Sequence, residues 1–268
     1  MVRRLWPLLR RGAGRFPGVV VVLTLAFLYV PIIAITYLSL SPNPQPTVPI
    51  KGVSLRWYNA VLTDTRFIEA ILSSVGLGIV SAVGGTTLGL AGAHTIIRSQ
   101  LTSATRSAVA LVIGLPLFIP TVVVAFAIGV TTGIMNLGFG FLPVALGHLF
   151  WVLPFTTFLL TARYTELNRQ LPEAARDLGA DRKTVFVTIT LPLLRPALFA
   201  SALFAFALSF NEFLITFFLA GSGVTTVPLE IFGKVRIGAT SFLNAASVLV
   251  LLVSALIAGG ASVLQRPT

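Results

Sequence analysis

The sequence predicts an all-α membrane protein of about six transmembrane helices, with a cytoplasmic helix-turn-helix between spans four and five. Three observations carry this expectation. Of the 268 residues, 56% are hydrophobic and only 10% charged, too few charges to clothe a soluble domain of this size. Six apolar runs lie near residues 18–40, 68–96, 107–132, 142–163, 196–219 and 243–264, and each supplies the roughly 20 residues that a hydrocarbon core needs. The 19 Lys and Arg follow topology: Lys51, Arg56, Arg66, Lys234 and Arg236 fall in outer segments, and all the others fall on the side of the two termini. Basic residues favour the cytoplasmic side, so both termini are expected in the cytoplasm and the chain is expected to form one membrane domain over 1–268.

The first run follows a basic stretch, and Ser39-Leu40-Ser41 faintly imitates a small-residue cleavage site. The run is longer than a signal-peptide core, so a retained span is expected. In the outer segment 41–67, Pro42, Pro44, Pro46 and Pro49 resist helix and central strand and favour an extended crossing, while Trp57 and Tyr58 suit a membrane interface. The second run carries Gly76, Gly78, Gly84, Gly85, Gly89 and Gly92, which let helices approach closely, with Gly84-Gly85 a possible bend. Pro116 and Pro120 are expected to bend or break the third run.

His94, at the inner end of the second run, and His148, in the fourth, have no Cys, Asp or Glu at ligand spacing, so packing or interfacial roles are expected. The absence of Cys removes disulfides, thiolate metal sites and cysteine nucleophiles, and neither H-E-x-x-H nor G-x-S-x-G occurs. An enzyme reading is left without a nucleophile or a metal.

The longest inner segment spans 164–195. Leu171, Ala174, Ala175 and Leu178 form an i, i+3, i+4, i+7 stripe, which predicts a short amphipathic helix, and Gly179 suits its left-handed stop. Asp181 then caps a second short helix whose buried side is Val185, Phe186 and Ile189, and Pro192 and Pro196 re-start the chain into the fifth span. Such a segment serves equally as a loop resting on lipid headgroups or as an element that docks a partner.

Glu212 is the clearest acid inside a span. At mid-bilayer a carboxylate costs roughly 2.5 kcal/mol or more, so its presence asks for a function. It lies about 24 Å from the inner end of its run. Ser201, Ala205, Ser209, Glu212 and Thr216 fall on one helical face, flanked by Phe210 and Phe213. One reading is a pathway lining that favours cations, with aromatic neighbours adding cation–π attraction. The other is that Asn211 and Glu212 hydrogen-bond a neighbouring helix.

The order Glu173-Ala174-Ala175, Gly179 and then Ile189, Leu191 and Pro192 resembles the signature loop of type I ATP-binding-cassette importer permeases. By that resemblance Glu173, Ala174, Ala175, Gly179, Ile189, Leu191 and Pro192 form the segment that couples the permease to a cytoplasmic ATPase. The chain's only lysines are Lys51, Lys183 and Lys234, none in a phosphate-loop setting. ATP and Mg are therefore expected on a separate ATPase chain, with no cofactor here. The resemblance also implies two ATPase subunits, a second permease of different sequence, an extracytoplasmic substrate-binding protein and residence in a prokaryotic cytoplasmic membrane. The net charge of +11 points to anionic lipid rather than nucleic acid.

A second resemblance is to the second permease of spermidine/putrescine importers. It rests on Ser54-Leu55-Arg56-Trp57-Tyr58, on Ser209-Phe210-Asn211-Glu212-Phe213, and on Val227-Pro228-Leu229-Glu230-Ile231-Phe232 followed by Asn244-Ala245. It implies a polyamine pathway through Ser209, Phe210, Asn211, Glu212, Phe213 and Thr216, although those permeases often carry two acids where this chain has Asn211-Glu212. Iron, a phosphonate, an opine or a sugar remains open as the solute. The alternative from another class is an ion-coupled secondary transporter with Glu212 as proton carrier, which leaves the Glu-Ala-Ala loop without a purpose.

Overall fold

A computed structural model of the chain describes residues 16–98, 101–168, 170–238 and 240–264, and among these all regular structure is helical. Arg3, Arg4, Arg10, Arg11, Arg15, Arg169 and Arg266, on which part of the charge asymmetry rests, lie outside the described residues. The chain divides into two compact units.

One unit contains α1 (Phe16–Ser39), α2 (Arg56–Thr63) and the first part of α12 (Ser241–Leu264). α1 is exposed along nearly its whole length, and Pro31 sits inside it without ending it. The proline-rich segment after α1 forms neither helix nor strand. Because prolines donate no backbone hydrogen bond, other groups pin it. Trp57 Nε1 donates to the Ser41 carbonyl at 2.9 Å, the Tyr58 hydroxyl lies 2.6 Å from Ser39 Oγ, and Ser241 Oγ donates to the Asn43 carbonyl at 2.6 Å.

The other unit runs through Asp64–Gly233. α3 (Thr65–Arg98) is a single helix through Gly84-Gly85, so the chain does not break there. Those glycines serve packing instead. Gly78 faces the Phe206 ring, Gly84 faces Leu149 and Gly85 faces Val152, each closer than a Cβ would allow. At Gly89 a Cβ would fall 2.5 Å from Thr156 Oγ1 and 3.0 Å from the Thr156 carbonyl carbon.

α4 (Ser103–Gly114), capped by the Thr102 side chain, passes through a 3₁₀ turn at Leu115–Leu117 into α5 (Thr121–Ile134), and the two helical arms meet at 101°. Pro116 lies in the turn and Pro120 at the start of α5, where their missing N–H groups cost least. α6 (Phe141–Glu166) carries the fourth run and packs against α3.

α7 (Gln170–Asp177) and α8 (Arg182–Val185) follow, and a π-helical turn at Phe186–Thr190 joins α8 to α9 (Leu191–Phe210). The expected restart at Pro192 and Pro196 is not seen, for the helix is continuous over Arg182–Phe210. Pro192 falls in the first turn of α9, and the Leu191 N–H reaches back to the Phe186 carbonyl, so the widened turn carries the helix past the prolines. The fifth run is also not one helix, because the chain leaves helical geometry at Asn211–Phe213 and resumes as α10 (Leu214–Leu219), followed by α11 (Val227–Val235).

Helices α1, α3, α6 and the continuous Arg182–Phe210 are long and apolar enough to cross a membrane, and the α4–α5 pair, bent by 101°, passes the same test only when its two arms are taken together. α12 lies over the sixth apolar run. Two clusters among the described residues of the larger unit belong to its core. Leu77, Ala125, Val144, Ile215 and Leu219 pack around α10, while Ala93, Leu160, Tyr164 and Leu194 pack where α3, α6 and α9 converge.

Candidate functional site

Two places in the larger unit collect the residues singled out by the sequence. The first is the α7–α8 corner. Asn168 Oδ1 accepts from the Gln170 N–H at 2.9 Å and so starts α7. At the other end Gly179 takes φ +90°, the Ala180 N–H bonds to the Ala175 carbonyl at 3.0 Å, and the Gly179 N–H bonds to the Arg176 carbonyl at 2.8 Å. These bonds satisfy carbonyls that a helix end otherwise orphans.

Asp181 Oδ1 accepts from the Thr184 N–H at 2.8 Å and caps α8. The Thr184 hydroxyl and N–H together hold the Asp181 carboxyl below its ordinary pKa. Of the expected buried side of α8, Val185 is buried and Phe186 and Ile189 are half-buried.

The stripe on α7 is not covered. Leu178 is 90% exposed and Leu171 48%, Glu173 and Ala174 are exposed, and only Ala175 is half-buried. An amphipathic helix ordinarily buries such a face. Ile189, Leu191 and Pro192 do not share it, since they lie in the π turn and the start of α9, each half-buried.

The second place is the break after α9. Glu212 is 8% exposed, and its carboxylate accepts from the Ile215 N–H at 2.9 Å and the Thr216 N–H at 3.1 Å. It therefore caps α10, its two oxygens accepting N–H groups that the first turn of that short helix leaves without partners. His148 of α6 reaches the same group, with Nε2 3.4 Å from Glu212 Oε2 and 3.0 Å from Thr216 Oγ1. Its Nδ1 lies 2.7 Å from Ser209 Oγ, which also accepts from Ser81 Oγ of α3 at 3.0 Å. One buried polar chain thus links α3, α6, α9 and α10.

Ser209, Phe210 and Thr216 are buried and face this packing. Asn211 is exposed, with its side-chain amide donating to the Ala207 carbonyl at 2.8 Å, and the Phe213 ring lies 4.7 Å from that of Phe232. A cavity of about 550 Å³ opens beside the break, lined by Trp151, Phe204, Asn211, Glu212 and Phe213 among others. Of the sequence-predicted pathway residues, Asn211, Glu212 and Phe213 reach this cavity. Glu212 lines this cavity on one side and lies against His148 of α6 on the other.

For His148 a packing or interfacial role was expected, and its link to Glu212 was missed. No local spacing announces a bond between residues 61 apart, as His148 and Ser209 are. Trp151 was also missed, since a Trp in an apolar run reads as core. Among the described residues no group of three or more His, Cys, Asp or Glu is placed to hold a metal.

Comparison with known proteins places this geometry. Residues 101–266 match the family of binding-protein-dependent transport system inner membrane components. The chain is 31% identical over 243 residues to the putrescine transport system permease protein PotI of Escherichia coli (strain K12), covering 87% of this chain and 84% of that protein. It is 28% identical to the spermidine/putrescine transport system permease protein PotC of Haemophilus influenzae, covering 85% and 88%.

The fold is shared with a chain of a bacterial ABC transporter involved in the import of alginate, with TM-score 0.78 at 18% identity over 98% of each chain. It is also shared with a chain of the inward-facing MetNI methionine ABC transporter, with TM-score 0.62 at 18% identity over 74% of this chain and 94% of that one. With more than half of its length matched and the all-helical fold shared, the chain belongs to the family of binding-protein-dependent transport system inner membrane components.

Proposed function

We propose that the chain forms one half of an alternating-access pathway for a polyamine, driven by ATP hydrolysed on separate subunits. As a member of its family it is a permease subunit of an ABC importer, not an enzyme. The observation that carries the polyamine reading is the similarity to PotI and PotC over most of the chain. The chemistry at the break agrees with it. A polyamine is an extended cation, and the cavity there offers the Glu212 carboxylate, the Asn211 amide and aromatic faces from Trp151, Phe204 and Phe213.

In this reading the termini and α7 face the cytoplasm of a prokaryotic inner membrane. Glu173, Ala174 and Ala175 of α7, with the Gly179 turn, dock into one of two ATPases that carry ATP and Mg. Ile189, Leu191 and Pro192 pass the movement into α9. A second permease of different sequence completes the pathway, and an extracytoplasmic binding protein delivers the solute. The uncovered stripe of α7 supports the docking role, since exposed Leu171 and Leu178 gain by burial against a partner.

The experiment is ATPase stimulation of the purified assembly in lipid with its binding protein. Spermidine or putrescine is expected to stimulate hydrolysis, and ferric iron, a phosphonate and a sugar are not. Stimulation by one of the latter alone rejects the polyamine while keeping the importer. For Glu173→Ala, the affinity between permease and ATPase is expected to fall about tenfold. Unchanged assembly and unchanged transport-coupled hydrolysis in that variant remove the docking role.

A further inference from the structure

Between the inner end of α3, helices α7 and α8, and the π turn lies a cavity of about 360 Å³. Three guanidinium groups line it, from Arg98, Arg176 and Arg182, and no carboxylate does. None of the three makes an ion pair among the described residues. The acids nearest in sequence lie off the lining, Glu173 and Asp177 on α7 and Asp181 with its Oδ1 on the Thr184 N–H. His94 lies on the same lining, held by a 2.8 Å hydrogen bond to the Tyr164 hydroxyl, and Arg98 lies 5.7 Å over the Tyr164 ring. Pro172, Val185 and Phe186 supply apolar wall.

Arg98 is half-buried and Arg176 and Arg182 are exposed, so water screens part of the repulsion among the three permanent charges and an anion seated among them removes more of it. A guanidinium presents paired N–H donors that match the oxygens of a phosphate, so several of them converging on one volume make a phosphate site in particular. The level of the cavity along the chain agrees. Arg98 ends the α3 span, and Thr190, also on the lining, immediately precedes α9, so the cavity sits where an apolar interior gives way to headgroups.

We propose that this cavity binds phosphate, with Arg98, Arg176 and Arg182 holding either the phosphate of an anionic lipid headgroup or free phosphate, and thereby fastening α7 to the inner end of α3. The lipid source rests on the topology proposed above, in which this end faces the basic-rich inner side. Basic pockets at the inner ends of spans meet anionic headgroups directly. Occupied, the cavity holds the α7–α8 corner at a fixed position. Empty, it leaves three like charges to push the corner away from α3.

The test uses the full chain, purified in detergent and offered phosphatidylglycerol, phosphatidylcholine or inorganic phosphate, with retained lipid read by native mass spectrometry and phosphate by its effect on thermal unfolding. Phosphatidylglycerol is expected to be retained in preference to phosphatidylcholine. Arg98→Gln, Arg176→Gln and Arg182→Gln are each expected to weaken that binding about fivefold. The matching Lys variants, which keep the charge and fold as readily, are expected to lose less. Arg163→Gln, at an exposed Arg paired with Glu166 away from the cavity, is expected to bind as the unmodified chain does.

Stabilisation by inorganic phosphate that the Gln variants lose, without a preference for phosphatidylglycerol, assigns the site to free phosphate. Equal binding of both probes by the Gln variants and the unmodified chain overturns the proposal. So does a variant set whose only loss is affinity for the ATPase, since the arginines would then belong to a protein interface. Because no polyamine is present, a wrong solute leaves this result untouched. Topology is read separately from Leu178→Cys in a chain that has no Cys. Labelling of that residue from the inner side alone is expected, and labelling from the outer side alone overturns the lipid source.

Discussion

Glu212→Ala is expected to destabilise the folded chain by about 2 kcal/mol, within the range for leaving buried hydrogen-bonding groups without a partner, and to abolish solute uptake. Two losses combine. The Ile215 and Thr216 N–H groups at the start of α10 lose their acceptor, a capping loss of about 1 kcal/mol. His148, fully buried, loses the acid beside it and keeps only hydroxyl partners in Ser209 and Thr216.

Glu212→Gln separates stability from transport. The amide keeps one oxygen for capping but turns its NH₂ toward donors, so a smaller loss of about 1 kcal/mol is expected with the assembly intact. Uptake is still expected to fall, because the negative charge facing the cavity is gone. Thermal unfolding of the purified chain and uptake into proteoliposomes measure the two effects independently. Normal uptake kinetics in Glu212→Gln would return the residue to helix packing alone. A cycle with His148→Ala tests the pair, for which coupling above about 0.5 kcal/mol is expected.

Gly89→Leu is expected to cost at least about 3 kcal/mol, the upper part of the usual overpacking range, and to remove most of the monodisperse folded chain from detergent extracts. The position has no room even for a methyl group. A Cβ there meets Thr156 Oγ1 at 2.5 Å and, more decisively, Thr156 backbone at 3.0 Å, which no rotamer change relieves. Separating α3 from α6 to make space would also stretch the 2.8 Å hydrogen bond from Thr156 Oγ1 to the Gly85 carbonyl. Gly133→Ala in α5 is the control, since nothing lies within 4 Å of its Cβ position and alanine favours helix. That variant is expected to melt at or slightly above the unmodified chain, and the same behaviour in Gly89→Leu would refute the close-approach account.

Much of the architecture was readable because its causes are local. Apolar runs report the long helices, Pro116 and Pro120 report the turn between α4 and α5, and Gly179 and Asp181 mark the corner between α7 and α8. What escaped depends on partners distant in sequence or on backbone register. Gly84-Gly85 suggested a bend, whereas what those glycines do depends on Leu149 and Val152 of α6, which fit against the bare backbone. The break at Asn211–Phe213 contains neither Pro nor Gly. Its only sequence signal is a carboxylate preceding Ile215 and Thr216, which is a helix start hidden inside an apolar run. The π turn leaves no compositional trace, since one extra residue per turn changes spacing and not residue type.

The unbroken helix over Arg182–Phe210 has a mechanical meaning. At 1.5 Å per residue its 29 residues make a strut about 43 Å long. A strut is stiff along its axis and yields at its joints, here the π turn at Phe186–Thr190 near one end and the break beyond Phe210 at the other, so a displacement entering past the π turn is carried along α9 to the far end. The joint there is Asn211–Phe213, and the acid that latches it to α6 is Glu212. Force entering at one end of this lever is thus spent where a carboxylate, a histidine and an aromatic-walled cavity meet, and the first bonds it loads are those between His148 and the α9–α10 joint.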